Sequence, residues 1–120
     1  MAGRVAGARS RREEVSAETL QTAAARFGIL AATVRLHIVW LLASGERDVT
    51  SLAEEVGTTV QVISQHLAKL RLAGLVHARR EGRRQVYLVN DPHLVSVVRE
   101  MIAHLHRPAG RSGVRRGVGS

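Results

Sequence analysis

Two helical patterns separated by a single glycine, between residues 50 and 74, constrain the fold of this chain most. The stretch TSLAEEVG predicts a short helix capped by Thr50 or Ser51 and ended by Gly57. The longer stretch TTVQVISQHLAKLRLAG opens with a capping-box pattern, Thr58-x-x-Gln61, and also ends at a glycine. A short helix, a tight glycine turn and a longer helix together predict a helix-turn-helix unit.

A basic β-hairpin pattern follows directly in the segment LVHARREGRRQVYLVN. Two β-prone runs, around Val76 and over residues 86–89, flank REGRR, with Gly82 in the turn. Two helical patterns precede the unit, one beginning after the N-cap candidate Ser16 and one formed by the apolar VRLHIVWLLASG; a last helix starts at Asp91-Pro92. This order predicts a mainly α protein with a small β-hairpin: a winged helix-turn-helix of five helices and a two-stranded wing.

The charge of the chain is concentrated at its ends. The 120 residues carry a net charge of +8, of which residues 1–16 hold +2 and residues 107–120 hold +4. We predict disordered basic tails at 1–15 and 107–120 around one domain, 16–106, for DNA binding and dimerisation. The basic balance favours polyanionic partners such as nucleic acid.

Composition also removes several classes of protein. The chain has no cysteine, which excludes disulfides, thiolate metal sites and cysteine nucleophiles. No catalytic motif is present, so we expect no enzyme. The longest apolar stretch, LHIVWLLAS, is too short to span a bilayer and no signal peptide is evident, which predicts a soluble, cytoplasmic protein without a membrane partner.

The longer helix of the unit separates into two faces at 100° per residue. One face is apolar and should meet the core: Val60, Ile63, Leu67 and Leu70. The opposite face is short, mostly uncharged and able to form hydrogen bonds, which suits base edges in a major groove. Its candidate DNA-binding residues are Thr59, Gln61, Ser64, Gln65 and Lys69. His66 lies at the edge of the apolar arc, where we expect packing or a phosphate contact.

Four guanidinium groups surround the hairpin turn and would repel one another without an anion beside them. We predict that they follow the phosphate backbone; the candidates are Arg79, Arg80, Arg83 and Arg84. Only 2% of the residues are aromatic. Since recognition of single strands normally uses aromatic stacking, the predicted partner is duplex DNA.

The string LAEEVG…VISQHLAKLRLAGLVHARREGRRQVYLV resembles the ArsR/SmtB family of metal-responsive transcriptional repressors, over roughly residues 17–106. The resemblance implies a homodimer formed through the first and last helices. It also implies that each subunit places its recognition helix in a major groove of an inverted-repeat operator.

Two histidines of the last helix have a spacing that one chain cannot use for one metal ion. His93 and His104 are eleven residues apart, which places them about 20° apart around a helix but about 16 Å apart along it. If two copies of this helix pack antiparallel, the start of one helix, with His93, lies beside the end of the other, with His104. We therefore predict two equivalent sites, each with Asp91 and His93 of one subunit and His104 of the other. The apolar stripe buried between them would be Leu94, Val97, Val98, Met101, Ile102 and Leu105.

The resemblance implies the same ligands, since family members that sense metal on this helix use an Asp-x-His pair and later histidines. The family's fourth position is Arg107 here, which cannot ligate, and His106 reaches the site only if the helix end frays. Nitrogen and oxygen ligands favour Ni(II) or Zn(II), with Co(II) also possible. The other two histidines of the body, His37 and His77, are predicted to be packing residues. Two alternatives remain: a regulator without metal response or acting with a partner protein, and a non-specific architectural DNA-binding protein.

Overall fold

The computed structural model describes residues 14–106, which form five helices and three short strands. In chain order these are α1 Ala17–Leu30, α2 Thr33–Leu42, β1 Arg47–Asp48, α3 Val49–Val56, α4 Val60–Leu72, β2 His77–Glu81, β3 Arg84–Leu88 and α5 Pro92–Leu105. The predicted winged helix-turn-helix is confirmed, with α3 and α4 as its helical unit. The predicted tails lie outside the described residues, except for residues 14 and 15.

No single helix within residues 14–106 is long and apolar enough to cross a bilayer. Only α1 and α2 taken together reach that length and composition, and they are bent by 96° at their junction.

Helix starts follow local side-chain capping, with two shifts from the prediction. The N-caps of α1 and α5 are confirmed: the Ser16 hydroxyl accepts from the Thr19 amide at 3.0 Å, and Asp91 accepts from the His93 amide at 2.9 Å. The caps predicted for α3 were wrong, because Asp48 caps this helix instead. Helix α4 is capped by Thr59, one residue later than the predicted capping box.

The wing is a three-stranded antiparallel sheet in the order β1-β3-β2. The hairpin of β2 and β3 is confirmed, and Gly82 adopts φ 63° in its turn, a left-handed conformation that favours glycine. The third strand pairs Arg47 with Tyr87 and Asp48 with Val86. This strand was missed in the sequence, because two residues are too few to show an alternation of apolar and polar side chains. It fastens the wing to the start of α3.

The core lies mainly where α2, α3 and α4 meet. Its fully buried side chains are Ile38, Val39, Leu52, Ile63, Leu67, Leu70, Val76 and Val86. The prediction for Val60 was wrong, since its side chain is 44% exposed. It is the first residue of α4 and precedes the turn at which that helix reaches the core.

Candidate nucleic-acid interface and metal site

Helix α4 buries one face and presents the other to solvent, as the sequence predicts. Ile63, Leu67 and Leu70 are buried. The predicted base-reading residues are all exposed on the remaining surface: Thr59, Gln61, Ser64, Gln65 and Lys69. The Thr59 hydroxyl accepts a hydrogen bond from the Val62 amide at 3.1 Å, so this side chain caps the helix. The two exposed glutamines carry both donors and acceptors, which is the chemistry that base edges require.

His66 is half-buried and packs against α2 instead of facing solvent with the glutamines. Its Nδ1 lies 3.2 Å from a guanidinium nitrogen of Arg35, whose Nε donates to the carbonyl of Ile29 at 2.6 Å. Burial, followed by the charges of Arg35 and Lys69, holds the pKa of His66 below its ordinary value. A neutral imidazole therefore accepts from Arg35 and connects α4 to the α1–α2 junction.

The four wing arginines fall into two pairs. Arg79 donates two hydrogen bonds to Glu46, at 2.9 and 2.7 Å, and one to Glu81. The hydrogen bond from Arg79 lowers the pKa of Glu46, and the two carboxylates together raise the pKa of Arg79. Arg84 lies 3.5 Å from the carboxylate of Asp48.

The other pair, Arg80 and Arg83, has no carboxylate within 4.0 Å among residues 14–106. Within the wing, these two exposed arginines are available to an outside anion. The acidic residues that neutralise the first pair, Glu46 and Asp48, were not recognised in the sequence. Each lies more than thirty residues before the arginine that it pairs with, and only the presence of β1 would have indicated the pairing.

The predicted metal ligands of α5 lie on its solvent-facing side. His93 and His104 are exposed and Asp91 is partly exposed, its carboxylate accepting from the His93 amide. Within residues 14–106 of one chain, no three histidines, aspartates or glutamates come together around a point that could hold a metal ion. A single subunit therefore does not bring the candidate ligands together, and a site made of them needs a second copy.

The predicted apolar stripe of α5 is divided between two surroundings. Val98 is buried, and Leu94 and Ile102 pack against the core. Val97, Met101 and Leu105 remain exposed. Val97 and Met101 lie on the side of the helix that carries His93 and His104, whereas Leu105 lies about 100° around the helix from His104.

Helix α1 also leaves an apolar surface uncovered. Leu20 and Phe27 are about 60% exposed and lie on one face of this helix. A groove of about 200 Å³ runs between α1 and α5, and its lining includes Phe27, Leu94 and Val97 together with Asp91 and His93. Two of the candidate ligands thus border exposed apolar side chains of both helices, Phe27 of α1 and Val97 of α5.

The structure places His106 away from the other candidate ligands. It is the residue after α5, its amide donating to the carbonyl of Ile102 at 2.8 Å. With His37 and Trp40 it lines a cavity of about 550 Å³ between α2 and α5. The packing role predicted for His37 agrees with this half-buried position, whereas the same prediction for His77 was wrong, because that side chain is exposed on β2. Arg107 lies outside the described residues.

Comparisons with known proteins agree on one group of relatives. Residues 33–78, from α2 to the start of β2, match the profile of the family described as "Bacterial regulatory protein, arsR family". The HTH-type transcriptional regulator KmtR of Mycobacterium tuberculosis is 43% identical over 72 residues, which cover 60% of this chain and 55% of KmtR. The HTH-type transcriptional repressor SmtB of M. tuberculosis is 37% identical over 87 residues, covering 72% of this chain and 64% of that protein. The chain thus spans between half and two thirds of these relatives.

A solved structure supports the same grouping. The homodimeric winged helix-turn-helix DNA-binding domain of Mb0332 from Mycobacterium bovis, described as a possible ArsR-family transcriptional regulator, superimposes with a TM-score of 0.66 at 30% identity. The match covers 87% of this chain and 91% of that domain.

Proposed function

Because the chain belongs to the ArsR family of bacterial regulatory proteins, we propose that it is a dimeric, metal-responsive transcriptional repressor that binds a duplex operator. The observation that carries the DNA-binding part is the exposed surface of α4 with Gln61, Ser64 and Gln65, together with two exposed wing arginines, Arg80 and Arg83, that have no carboxylate partner within residues 14–106. Amides and hydroxyls read base edges, and guanidinium groups hold phosphates.

The proposed dimer buries the exposed apolar faces of α1 and α5. Phe27, Met101 and Leu105 would otherwise leave large apolar surfaces in water. The homodimeric state of the Mb0332 domain supports this assembly. Two symmetry-related α4 helices would then face two half-sites, which predicts an inverted-repeat operator.

The proposed metal site combines Asp91 and His93 of one subunit with His104 of the second copy. The donor set fits a borderline divalent cation, Ni(II) or Zn(II) with Co(II) as a further candidate, because it offers imidazole nitrogen and carboxylate oxygen without sulfur. Its exposed position beside the groove between α1 and α5 supports a site shared across the dimer. His106 is not included, since it lines a cavity on another side of α5. Bound metal would supply a cross-link between the two helices, changing operator affinity by about 1–3 kcal/mol.

The test is a fluorescence-anisotropy titration of the purified dimer with a duplex from the region upstream of its own gene, with and without Ni(II) or Zn(II). We expect specific binding that weakens when metal is added. Replacing Asp91 supplies a matched pair of variants. Asp91→Ser keeps a side-chain cap for α5 but removes the carboxylate ligand, whereas Asp91→Ala removes both.

Both Asp91 variants should lose metal affinity, and only Asp91→Ala should also lose thermal stability. Equal metal binding by the wild type, Asp91→Ser and His104→Ala would refute the metal site and leave a regulator with another signal or a partner protein. Equal affinity for every duplex would instead indicate an architectural DNA-binding protein.

A further inference from the structure

The loop of residues 43–48, between α2 and α3, contacts α5, α3 and both strands of the wing hairpin. Its first residue, Ala43, offers its carbonyl to a guanidinium nitrogen of Arg99 from α5 at 3.0 Å. Because the last carbonyls of a helix have no partner within the helix, an arginine at this position satisfies one of them and interacts favourably with the helix dipole. Helix α2 has no basic residue in its own last turn, so this cation comes from another element.

A second arginine holds the same helix end from within the loop. Arg47 donates to the carbonyls of Leu41 and Gly45, at 2.8 and 2.6 Å, and its Nε contacts both carboxylate oxygens of Glu55 in α3 at 3.0 Å. The carbonyl end of α2 is thereby joined to α5 on one side and to the first helix of the DNA-binding unit on the other.

The remaining acidic residues of the loop reach the wing. Glu46 pairs with Arg79 of β2. Asp48 caps α3 through the Ser51 amide, pairs with Arg84 of β3 and lies opposite Val86 in the sheet. The hydrogen bond from Ser51 is the main cause that lowers the pKa of Asp48, so this carboxylate stays ionised at neutral pH.

We infer that the 43–48 loop is the joint through which the position of α5 sets the position of the wing, with Arg99 as its positioning residue on α5. Arg99 lies about 120–140° around α5 from His93 and His104; its side chain is exposed like theirs, but its guanidinium group reaches the carbonyl of Ala43 at the end of α2. A rotation of α5 by about 20° would carry a group at the helix surface through about 2 Å, which breaks a 3.0 Å hydrogen bond. The metal response of this joint rests on the proposed function; its structural role does not.

The experiment compares full-length Arg99→Met, which keeps the aliphatic stem and helix propensity, with Glu46→Ala at the wing side and Glu100→Gln as a control. Glu100 is exposed on the same helix. Amide hydrogen exchange of the dimer in the absence of metal reports the joint directly. We expect faster exchange at β1 and β3 in Arg99→Met and Glu46→Ala, and wild-type exchange in Glu100→Gln, with thermal unfolding checked for all three. Unchanged exchange at β1 and β3 in Arg99→Met would overturn the inference.

The second readout is the ratio of operator affinities without and with Ni(II). Arg99→Met and Glu46→Ala should each reduce this ratio by about 2- to 30-fold while leaving Ni(II) affinity at the wild-type level. Because the two residues act in series, the double variant should show no further loss; additive losses would overturn the joint. A wild type that ignores Ni(II) would refute the proposed metal response, while the exchange experiment would still decide the joint.

Discussion

Replacing Arg83 with Ala tests which of the wing arginines contact the DNA backbone. Arg83 follows Gly82 in the hairpin turn, is exposed, and has no carboxylate partner among residues 14–106. A dimer would lose two phosphate contacts, and each contact contributes about 0.9 to the slope of log affinity against log salt concentration. The magnitude of the slope should therefore fall by about 1.8. Between roughly 50 and 200 mM salt, the fold-decrease in affinity of the variant should then be about ten times smaller than that of the wild type.

The assay is anisotropy at four or more salt concentrations, on the operator and on a scrambled duplex of the same length. Arg83→Ala should weaken binding to both duplexes alike, because a phosphate contact carries no sequence information. Arg79→Ala is the matched control: its guanidinium is already held by Glu46 and Glu81, so its loss should change the slope less than half as much. Equal slope changes in the two variants would refute the division of the wing into paired and unpaired arginines. Loss of specificity alone in Arg83→Ala would contradict its assignment to the backbone.

Three further outcomes follow from the contacts of α1, α2 and α4. Gln65→Ala should reduce discrimination between operator and scrambled duplex by about 1–3 kcal/mol, measured by competition, while non-specific affinity stays constant. The pKa of His66 lies below its ordinary 6.5, so the stability conferred by its neutral form is present above pH 6.5 and is lost as the pH falls through the folded-state pKa. Urea unfolding from about pH 7.5 to 5 should therefore show a falling free energy of unfolding, and His66→Gln should remove this pH dependence. Phe27→Glu should shift the dimer to monomer in sedimentation analysis without unfolding the subunit, because this side chain is 60% exposed in the isolated chain; a dimer of unchanged affinity would place the interface elsewhere.

Elements with a long periodic pattern or a strong local cap were predictable from the sequence. Ser16 and Asp91 begin their helices as expected, and the apolar spacing of Ile63, Leu67 and Leu70 correctly identified the buried face of α4. These features depend on neighbours within four residues. The start of α3 was misplaced because several residues in sequence can cap a helix, and the choice of Asp48 follows from its pairing with β3.

The candidate metal ligands show how far a spacing argument extends. The eleven-residue interval of His93 and His104 fixes their common face on any regular helix, and α5 is regular from Pro92 to Leu105. The exposure of Val97 beside them depends on which part of the stripe the core takes up, and that required the structure. For His106, the sequence indicated that it reaches the site only if the helix end frays, whereas the cavity that it lines with Trp40 between α2 and α5 required the structure.

Charge counted along the sequence overestimates how basic the wing is. The segment from Arg79 to Arg84 holds four arginines and one glutamate, a sum of +3, which suggested that an outside anion is needed. In the fold, Glu46 and Asp48 stand beside the same segment, reducing the local sum to +1. The carboxylates of the same subunit therefore already reduce the repulsion between the wing arginines, without a bound anion. What supports DNA binding is the distribution that remains: the acidic residues neutralise Arg79 and Arg84, where the wing meets the 43–48 loop, and leave the excess positive charge on Arg80 and Arg83. A wing arranged in this way is stable without DNA and still presents cations to a phosphate backbone.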